Sequence, residues 1–227
     1  MTNVLSELNN NVLTITVNRP DKLNALNQAT LAELSNIISD AKDNNEVAAI
    51  IVTGSGDKAF VAGADISELA TTDAMTGMKF AQFGQSVFDE IENCGKPVIA
   101  AVNGFALGAG AEMSCSADFI VMKAGAQIGF PEISIGTHVG GGVTGILPRL
   151  VGLAKARELI MTGRRIDGSE AERIGLATRV FADEDFDQGV ADFAALQSLR
   201  ESVGRHTHAD FGLQLGTPCT RINDPAH

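Results

Sequence analysis

The sequence has no tryptophan and no tyrosine, so neither an indole nor a phenol can take part in its chemistry. Cysteine is scarce as well, and its three residues lack metal or redox spacing: Cys94, Cys115 and Cys219. We therefore expect no disulfide framework and interpret these thiols as buried or incidental. No apolar run approaches the roughly 20 residues needed to cross a bilayer.

Basic residues are few: 17 Lys and Arg stand against 28 Asp and Glu, which gives a net charge of −11 at pH 7. Nucleic acid is therefore not expected as a partner, because phosphate binding needs clustered cations. The first residues lack a basic stretch followed by an apolar one, so we expect no signal peptide. These features predict a cytoplasmic protein without a membrane partner.

Hydrophobic periodicity alternates between strand and helix patterns along the chain. Residues 12–18 alternate as a β-strand does, residues 47–53 form a short apolar run, and apolar residues recur at helical spacing over 31–41. One amphipathic helix is predicted through residues 150–154. Such alternation predicts an α/β domain with a largely parallel sheet.

The last forty residues differ in composition from the rest. Beyond about Ala195 the periodicity is weak, and Gly, Pro, His and polar residues mix as in a loose tail. His206 and His208 lie in this tail, where we expect no metal site. We expect a catalytic core over residues 1–181 and a truncated or divergent, disordered segment over 182–227.

Two segments resemble strand-to-helix junctions with small residues at the turn: "AFVAGADISEL" and "AVNGFALGAGAEM". Backbone N–H groups at such junctions are unpaired and favour negative charge. Taken singly, each segment also fits a structural role, with Asp65 as a helix N-cap and Glu112 on a helix surface. A third segment, "FPEISIGTHVGGG", places Glu132 after a proline, as in many turns.

Together the three segments suggest more than they do singly. Each junction could supply one N–H group to an oxyanion hole, and Glu112 and Glu132 could act as general acid and base on one substrate. Such a site needs no metal, nucleophile or redox cofactor. The glycines at 104, 108 and 110 do not give the dinucleotide fingerprint, and no suitable acid ends a following strand. Phosphate-loop spacing ending in Gly-Lys-Ser/Thr and a G-x-S-x-G elbow are missing.

Seven segments stand in the order and with the gaps of a known family: "NRPDKLNAL", "AFVAGADISEL", "KPVIAAVNGFALGAGAEM", "ADFIV", "FPEISIGTHVGGG", "LPRLVGLAKARELIMTGRRI" and "EAERIGLATRV". With them the chain resembles the crotonase (enoyl-CoA hydratase/isomerase) superfamily over about residues 10–181, and most of all an enoyl-CoA hydratase. The resemblance implies an α/β fold, a crotonase-like spiral of ββα units with mainly parallel sheets. It also implies a C-terminal helical part, which is shortened here.

The resemblance also implies hydration of 2-enoyl-CoA thioesters to 3-hydroxyacyl-CoA. Under it, the N–H groups of Ala64 and Ala109 form the oxyanion hole, and Glu112 and Glu132 are the catalytic residues. No metal or separate cofactor is implied, because coenzyme A enters as part of the substrate. The residues implied to bind substrate or coenzyme A are Lys22, Ala25, Leu26, Ala62, Asp65, Ile66 and Gly108.

Other functions within and beyond the superfamily stay open at this point. Enoyl-CoA isomerisation and aryl-enoyl-CoA hydration with cleavage belong to the same superfamily, although both glutamates together favour hydration. The shortened C-terminus also leaves open a non-catalytic acyl-CoA-binding protein. The resemblance implies a homo-oligomer, trimer or hexamer. The segment "GTHVGGGVTG" departs from the usual family loop and predicts an unusual acyl pocket.

Overall fold

A computed structural model of the chain describes residues 2–69 and 73–201. Its strands are β1 (Val4–Asn9), β2 (Val12–Val17), β3 (Ala49–Gly54), β4 (Ala59–Val61), β5 (Val98–Val102), β6 (Phe105–Leu107), β7 (Phe119–Lys123), β8 (Gln127–Gly129), β9 (Arg165–Asp167) and β10 (Arg179–Phe181). Its helices are α1 (Gln28–Asp43), α2 (Ile66–Leu69), α3 (Ala74–Glu92), α4 (Ala109–Cys115), α5 (Val143–Val151), α6 (Leu153–Thr162), α7 (Gly168–Arg173) and α8 (Phe186–Glu201). Short 3-10 helices cover Pro20–Lys22 and Pro131–Ile135.

The strands form two sheets, one of six strands in the order β1-β2-β3-β5-β7-β10 and one of four in the order β4-β6-β8-β9. Pairing is parallel except between β1 and β2 and between β8 and β9. From β3 to β8 the chain visits the two sheets alternately, and a helix follows each such pair of strands. The predicted spiral of ββα units with mainly parallel sheets is confirmed.

The main core lies between the two sheets and the helices that follow them. All five residues of β5 are buried, as expected of a central parallel strand covered on both faces. Helix α1 begins after Asn27, whose side chain accepts a hydrogen bond from the Thr30 N–H. Its residues Leu31, Leu34 and Ile38 are buried at helical spacing, which confirms the predicted helix.

Two elements differ from the sequence prediction. Strand β1 was not predicted; it pairs with β2 through a turn at Asn10 and Asn11, which both have positive φ. The prediction of a single amphipathic helix through residues 150–154 is wrong, because two helices, α5 and α6, meet there. The break is at Gly152, with φ 78° and ψ 153°, outside the helical region.

Helix α8 corrects the expectation of a loose tail for part of the C-terminal segment. Its residues Phe186, Val190 and Ala194 are buried against Ile51 and Ile99 of the six-stranded sheet, on the face opposite the main core. Residues 186–201 are therefore helical rather than disordered. The rest of the segment, with His206, His208 and Cys219, lies outside the described residues.

Cys94 and Cys115 are free and buried, as the sequence suggested. Among residues 2–69 and 73–201, no helix has both the length and the apolar character to cross a membrane.

Candidate active site

The segment around Glu112 is a strand end followed directly by a helix. Strand β6 ends at Leu107, Gly108 is the N-cap of α4 with φ 53° and ψ −121°, and Ala109 is the first helical residue. Glu112 lies one turn into the helix, and its N–H donates to the Gly108 carbonyl at 2.9 Å. The helix predicted from the small residues is confirmed, but Glu112 is buried rather than on a surface.

Gly110 lets this helix lie directly on strand β4. A Cβ atom at residue 110 would be 1.9 Å from the carbonyl oxygen of Val61, a distance that no backbone adjustment of a few tenths of an ångström relieves. The small residues of the segment thus bring α4 against the edge where β4 ends.

We expect Gly110→Ala to lower the free energy of unfolding by about 3 kcal/mol or more, because the methyl group overlaps backbone. Gly145→Ala is the matched control: it lies in α5 with no atom within 4 Å of the new Cβ, so a gain of up to about 1 kcal/mol is expected. Urea denaturation of both variants measures the difference. Equal midpoints for Gly110→Ala and the wild type would contradict the close approach.

Ala64 and Ala109 follow the ends of two adjacent strands. Strands β4 and β6 pair in parallel, with Val61 opposite Ala106, so the turns that follow them meet at one edge. Leu26 forms hydrogen bonds with the residues on either side of Ala64: its N–H donates to the Gly63 carbonyl, and its carbonyl accepts from the Asp65 N–H. In such a parallel bridge the Ala64 N–H points away from Leu26, toward the side of β6. Neither this N–H nor that of Ala109 donates to an acceptor within the described part of the chain.

Glu112 is held by the glycine-rich loop that precedes α5. Its Oε1 accepts a hydrogen bond of 2.7 Å from the Gly140 N–H. A Cβ atom on Gly141, where φ is 56°, would lie 2.8 Å from both Cβ and Oε2 of Glu112, so only glycine fits there. Burial raises the pKa of Glu112 to about 7, the Gly140 hydrogen bond opposes this shift, and the charge of Glu132 adds to it.

Glu132 lies in the 3-10 helix Pro131–Ile135, and its carboxyl group lies beside Gly108 at the start of α4. Its Oε1 lies 3.0 Å from the position that a Cβ on Gly108 would occupy, so the glycine at the N-cap leaves room for the carboxyl group. Its Oε2 is buried and has no hydrogen-bond partner within residues 2–69 and 73–201. Burial raises the pKa of Glu132 as well. A buried carboxyl oxygen without a partner is unfavourable unless a ligand satisfies it.

The raised pKa of Glu112 predicts a pH-dependent stability. As pH rises from the ordinary value of 4.5 to about 7, the unfolded chain releases a proton that the folded chain keeps. Stability therefore falls across this window, by up to about 3 kcal/mol for this group.

Glu112→Gln removes this penalty, so we expect it to exceed the wild type in free energy of unfolding at about pH 8 but not at about pH 4.5. Urea denaturation at the two pH values is the measurement, with Glu7→Gln on the exposed face of β1 as control. A parallel loss of stability in the wild type and Glu112→Gln would contradict a raised pKa.

The other residues implied by the resemblance border this site to different degrees. Ala25, Ala62 and Ala64 are half-buried, whereas Lys22 is exposed, and Ile66 is 71% exposed. The Leu26 side chain is buried in the core, so only its backbone faces the bridge to Ala64.

Asp65 does not present a free carboxylate to a ligand. Its Oδ2 accepts a 2.8 Å hydrogen bond from Arg19, and its Oδ1 accepts from the N–H and the hydroxyl group of Ser67. Sequence reasoning missed the role of Arg19 here and that of Gly140 at Glu112. Both stand in quoted motifs, next to Pro20 and within the glycine triplet, but a contact between distant segments has no local pattern.

The site contains two buried carboxyl groups, with the charge of Glu132 acting on Glu112, and the turns after β4 and β6 contribute two N–H groups that have no acceptor among the described residues. The N–H groups can bind a developing negative charge, and the carboxyl groups can exchange protons with a ligand placed between them.

Comparison with known proteins gives a consistent result. The sequence model of the enoyl-CoA hydratase/isomerase family matches residues 7–207. The short-chain-enoyl-CoA hydratase of Clostridium acetobutylicum is 46% identical over 180 residues, which are 79% of this chain and 69% of that protein. The crotonyl-CoA hydratase of Syntrophomonas wolfei is 44% identical over 183 residues, 81% of this chain and 70% of that protein. The crystal structure of an enoyl-CoA hydratase from Bacillus anthracis is similar with a TM-score of 0.85 and 34% identity, over 86% of this chain and 76% of that chain. The chain therefore belongs to the enoyl-CoA hydratase/isomerase family.

Proposed function

We propose that the chain hydrates 2-enoyl-CoA thioesters to 3-hydroxyacyl-CoA. The observation that carries this proposal is the pair of buried glutamates, Glu112 and Glu132, in a site where the N–H groups of Ala64 and Ala109 have no acceptor among the described residues. The names of the relatives from Clostridium acetobutylicum and Syntrophomonas wolfei, both hydratases, support it.

In this proposal the thioester carbonyl oxygen accepts hydrogen bonds from the N–H groups of Ala64 and Ala109. Addition of water to the double bond builds enolate charge on that oxygen, where fixed donors act most strongly. The donors belong to the turns after β4 and β6, whose positions are fixed by sheet pairing and by the close approach at Gly110. They need no reorganisation during the reaction.

The two glutamates divide the proton transfers between them. Glu112, oriented by the Gly140 N–H, takes a proton from the water whose oxygen attacks Cβ, and Glu132 gives a proton to Cα. The net reaction is the addition of one water molecule. The two glutamates return to their starting state when the proton gained by Glu112 passes to Glu132. Burial raises the pKa of both groups, and the charge of Glu132 adds to the shift of Glu112, whose pKa of about 7 lets it exchange a proton near neutral pH.

Coenzyme A lies, in this proposal, along the segments that carry Lys22, Ala25, Ala62 and Ile66. Small side chains leave room for its bent body, and the exposed Ile66 offers an apolar contact beside the turn. No separate cofactor takes part. A cytoplasmic location and a homo-oligomeric state stay predictions from the sequence.

Loss of the ultraviolet absorbance of the enoyl thioester, on mixing the purified chain with crotonyl-CoA and longer homologues, tests the proposal. We expect turnover with at least one chain length and a 3-hydroxyacyl-CoA product. A folded sample that binds coenzyme A but turns over none of them would indicate a binding protein instead. Conversion of a 3-enoyl thioester in preference to hydration would assign the site to isomerisation.

A further inference from the structure

Arg19 and Asp65 form the most buried ion pair of the described residues. Their Nη2–Oδ2 distance is 2.8 Å, and the two side chains are only 14% and 10% exposed. In the other ion pairs found in residues 2–69 and 73–201, every side chain is at least 24% exposed. Burial of an ion pair is weak evidence for stabilisation by itself. Its position in the fold therefore matters more than its strength.

The position of Arg19 joins the two segments that meet at Ala64. One nitrogen of its guanidinium group donates to Asp65, which follows Ala64, and another donates to the carbonyl oxygen of Ala25, which precedes Leu26. Leu26 and Ala64 are the residues that pair in the isolated bridge beside β4. Arg19 thus forms hydrogen bonds with both segments of the bridge, one through each of two guanidinium nitrogens, an arrangement that the planar arginine side chain provides.

The segment on the Arg19 side is itself rigidly attached to the core. Asn24, which is fully buried, donates to the carbonyl oxygen of Ala59 at 2.7 Å and accepts from the Arg19 N–H at 2.9 Å. The bridge continues this attachment, since the Asp65 N–H donates to the Leu26 carbonyl at 2.8 Å. Residues 63–65 therefore have one supported edge, and the Ala64 N–H faces away from it.

Asp65 keeps its charge over the pH range in which Glu112 titrates. Hydrogen bonds from the Ser67 hydroxyl group and from Arg19 lower the pKa of Asp65 to about 2. The ion pair therefore exists in one state while Glu112, with a pKa of about 7, changes its own.

We propose that Arg19 and Asp65 are positioning residues that aim the Ala64 N–H at the thioester oxygen, an inference that rests on the function proposed above. Neither side chain touches the reacting atoms. An oxyanion donor acts fully only within hydrogen-bond distance of the oxygen, and a displacement of about 1 Å can lower a rate about 10²-fold. The buried pair supplies the restraint that a short turn of small residues lacks.

The test compares Arg19→Met, Arg19→Lys and Asp65→Asn in crotonyl-CoA hydration. We expect Arg19→Met to lower kcat about 10- to 100-fold with KM changed less than about 3-fold, because binding of the rest of the substrate is kept. The kcat of Arg19→Lys should lie between those of the wild type and Arg19→Met, because a single ammonium group cannot donate to both Asp65 and the Ala25 carbonyl in the same way. Glu170→Gln, which disrupts the partly exposed ion pairs of Glu170 with Arg164 and Arg173, is the matched control and should keep the wild-type kcat.

A second measurement reports on the oxyanion donors alone. A bound 3-ketoacyl thioester, acetoacetyl-CoA, loses a Cα proton to give an enolate with its own ultraviolet absorbance. The pH at which half of the bound ligand is enolate measures how well the N–H groups stabilise the charge. We expect Arg19→Met to raise this midpoint by about 1 to 2 pH units, one unit for each tenfold loss in kcat, and Glu170→Gln to leave it unchanged.

The outcomes separate the positioning role from the proposed function. A lower kcat with an unmoved enolate midpoint, or a folded Arg19→Met with the wild-type kcat, would overturn the positioning role. A wild-type chain that hydrates no enoyl thioester would refute the proposed function, whereas a shifted midpoint in the variants would still support positioning. If Arg19→Met does not fold, Arg19→Lys and Asp65→Asn are judged by the same two criteria.

Discussion

Replacing Glu132 with glutamine is expected to lower kcat for crotonyl-CoA hydration about 10³-fold. Glu132 is the proposed proton donor to Cα, and a positioned acid contributes roughly 10² to 10⁴ to a rate. Glutamine matches the carboxyl group in size, so the space beside Gly108 stays filled. An amide cannot take over proton donation, because its N–H is far too weak an acid.

The effect should lie in kcat rather than in binding. We therefore expect the dissociation constant for a saturated acyl-CoA, measured by calorimetry, to change little in Glu132→Gln. Glu7→Gln, an exposed carboxyl group on β1, controls for the loss of one charge. A Glu132→Gln protein with kcat within about 3-fold of the wild type would contradict the role proposed for this residue.

Replacing Ala109 with proline is expected to lower kcat about 10²- to 10³-fold, because it removes one oxyanion donor. The structure makes this an unusually specific change. Ala109 is the first residue of α4, the position where proline is best tolerated, since its N–H is not needed for the helix. The preceding residue is a glycine, which reduces the steric restriction that proline places on its neighbour.

The control for this prediction is Ala109→Ser, which keeps the N–H group. We expect the serine variant to retain most of the activity and both variants to unfold at similar urea concentrations. Comparison of kcat and of the unfolding midpoints separates the lost donor from a damaged helix. Retention of wild-type kcat by a folded Ala109→Pro would exclude this N–H from the oxyanion hole.

Much of the fold could be predicted because it follows local rules. The buried stripe of α1, the apolar runs of β3 and β5, and their alternation each reflect the period of one element. Strand β1 was missed because its outward positions are exposed and only Val4 is buried, so it has no clear alternation. The break between α5 and α6 was missed because a single glycine within a helical pattern is often tolerated.

The candidate site was predictable to the extent that its residues stand in contiguous motifs. Glu112 and Glu132 stand at small-residue or proline turns, and the three segments taken together already suggested that they act on one substrate. The charge of Glu132 acts on buried Glu112, as expected of two groups in one site. The Gly140 hydrogen bond and the Arg19–Asp65 ion pair join residues 28 and 46 positions apart. No spacing rule anticipates such contacts, because they depend on how the two sheets are stacked.

The proposal that Glu112 and Glu132 act as one unit is tested most directly by a double-mutant cycle in kcat for crotonyl-CoA hydration. The wild type, Glu112→Gln, Glu132→Gln and the double variant are compared in one assay. Groups that act on the same water and thioester are strongly non-additive. We therefore expect each single change to lower kcat by at least about 10²-fold, and the double variant to be little slower than the slower single variant. A wild type that hydrates crotonyl-CoA while both single variants keep its rate would contradict the two-glutamate mechanism.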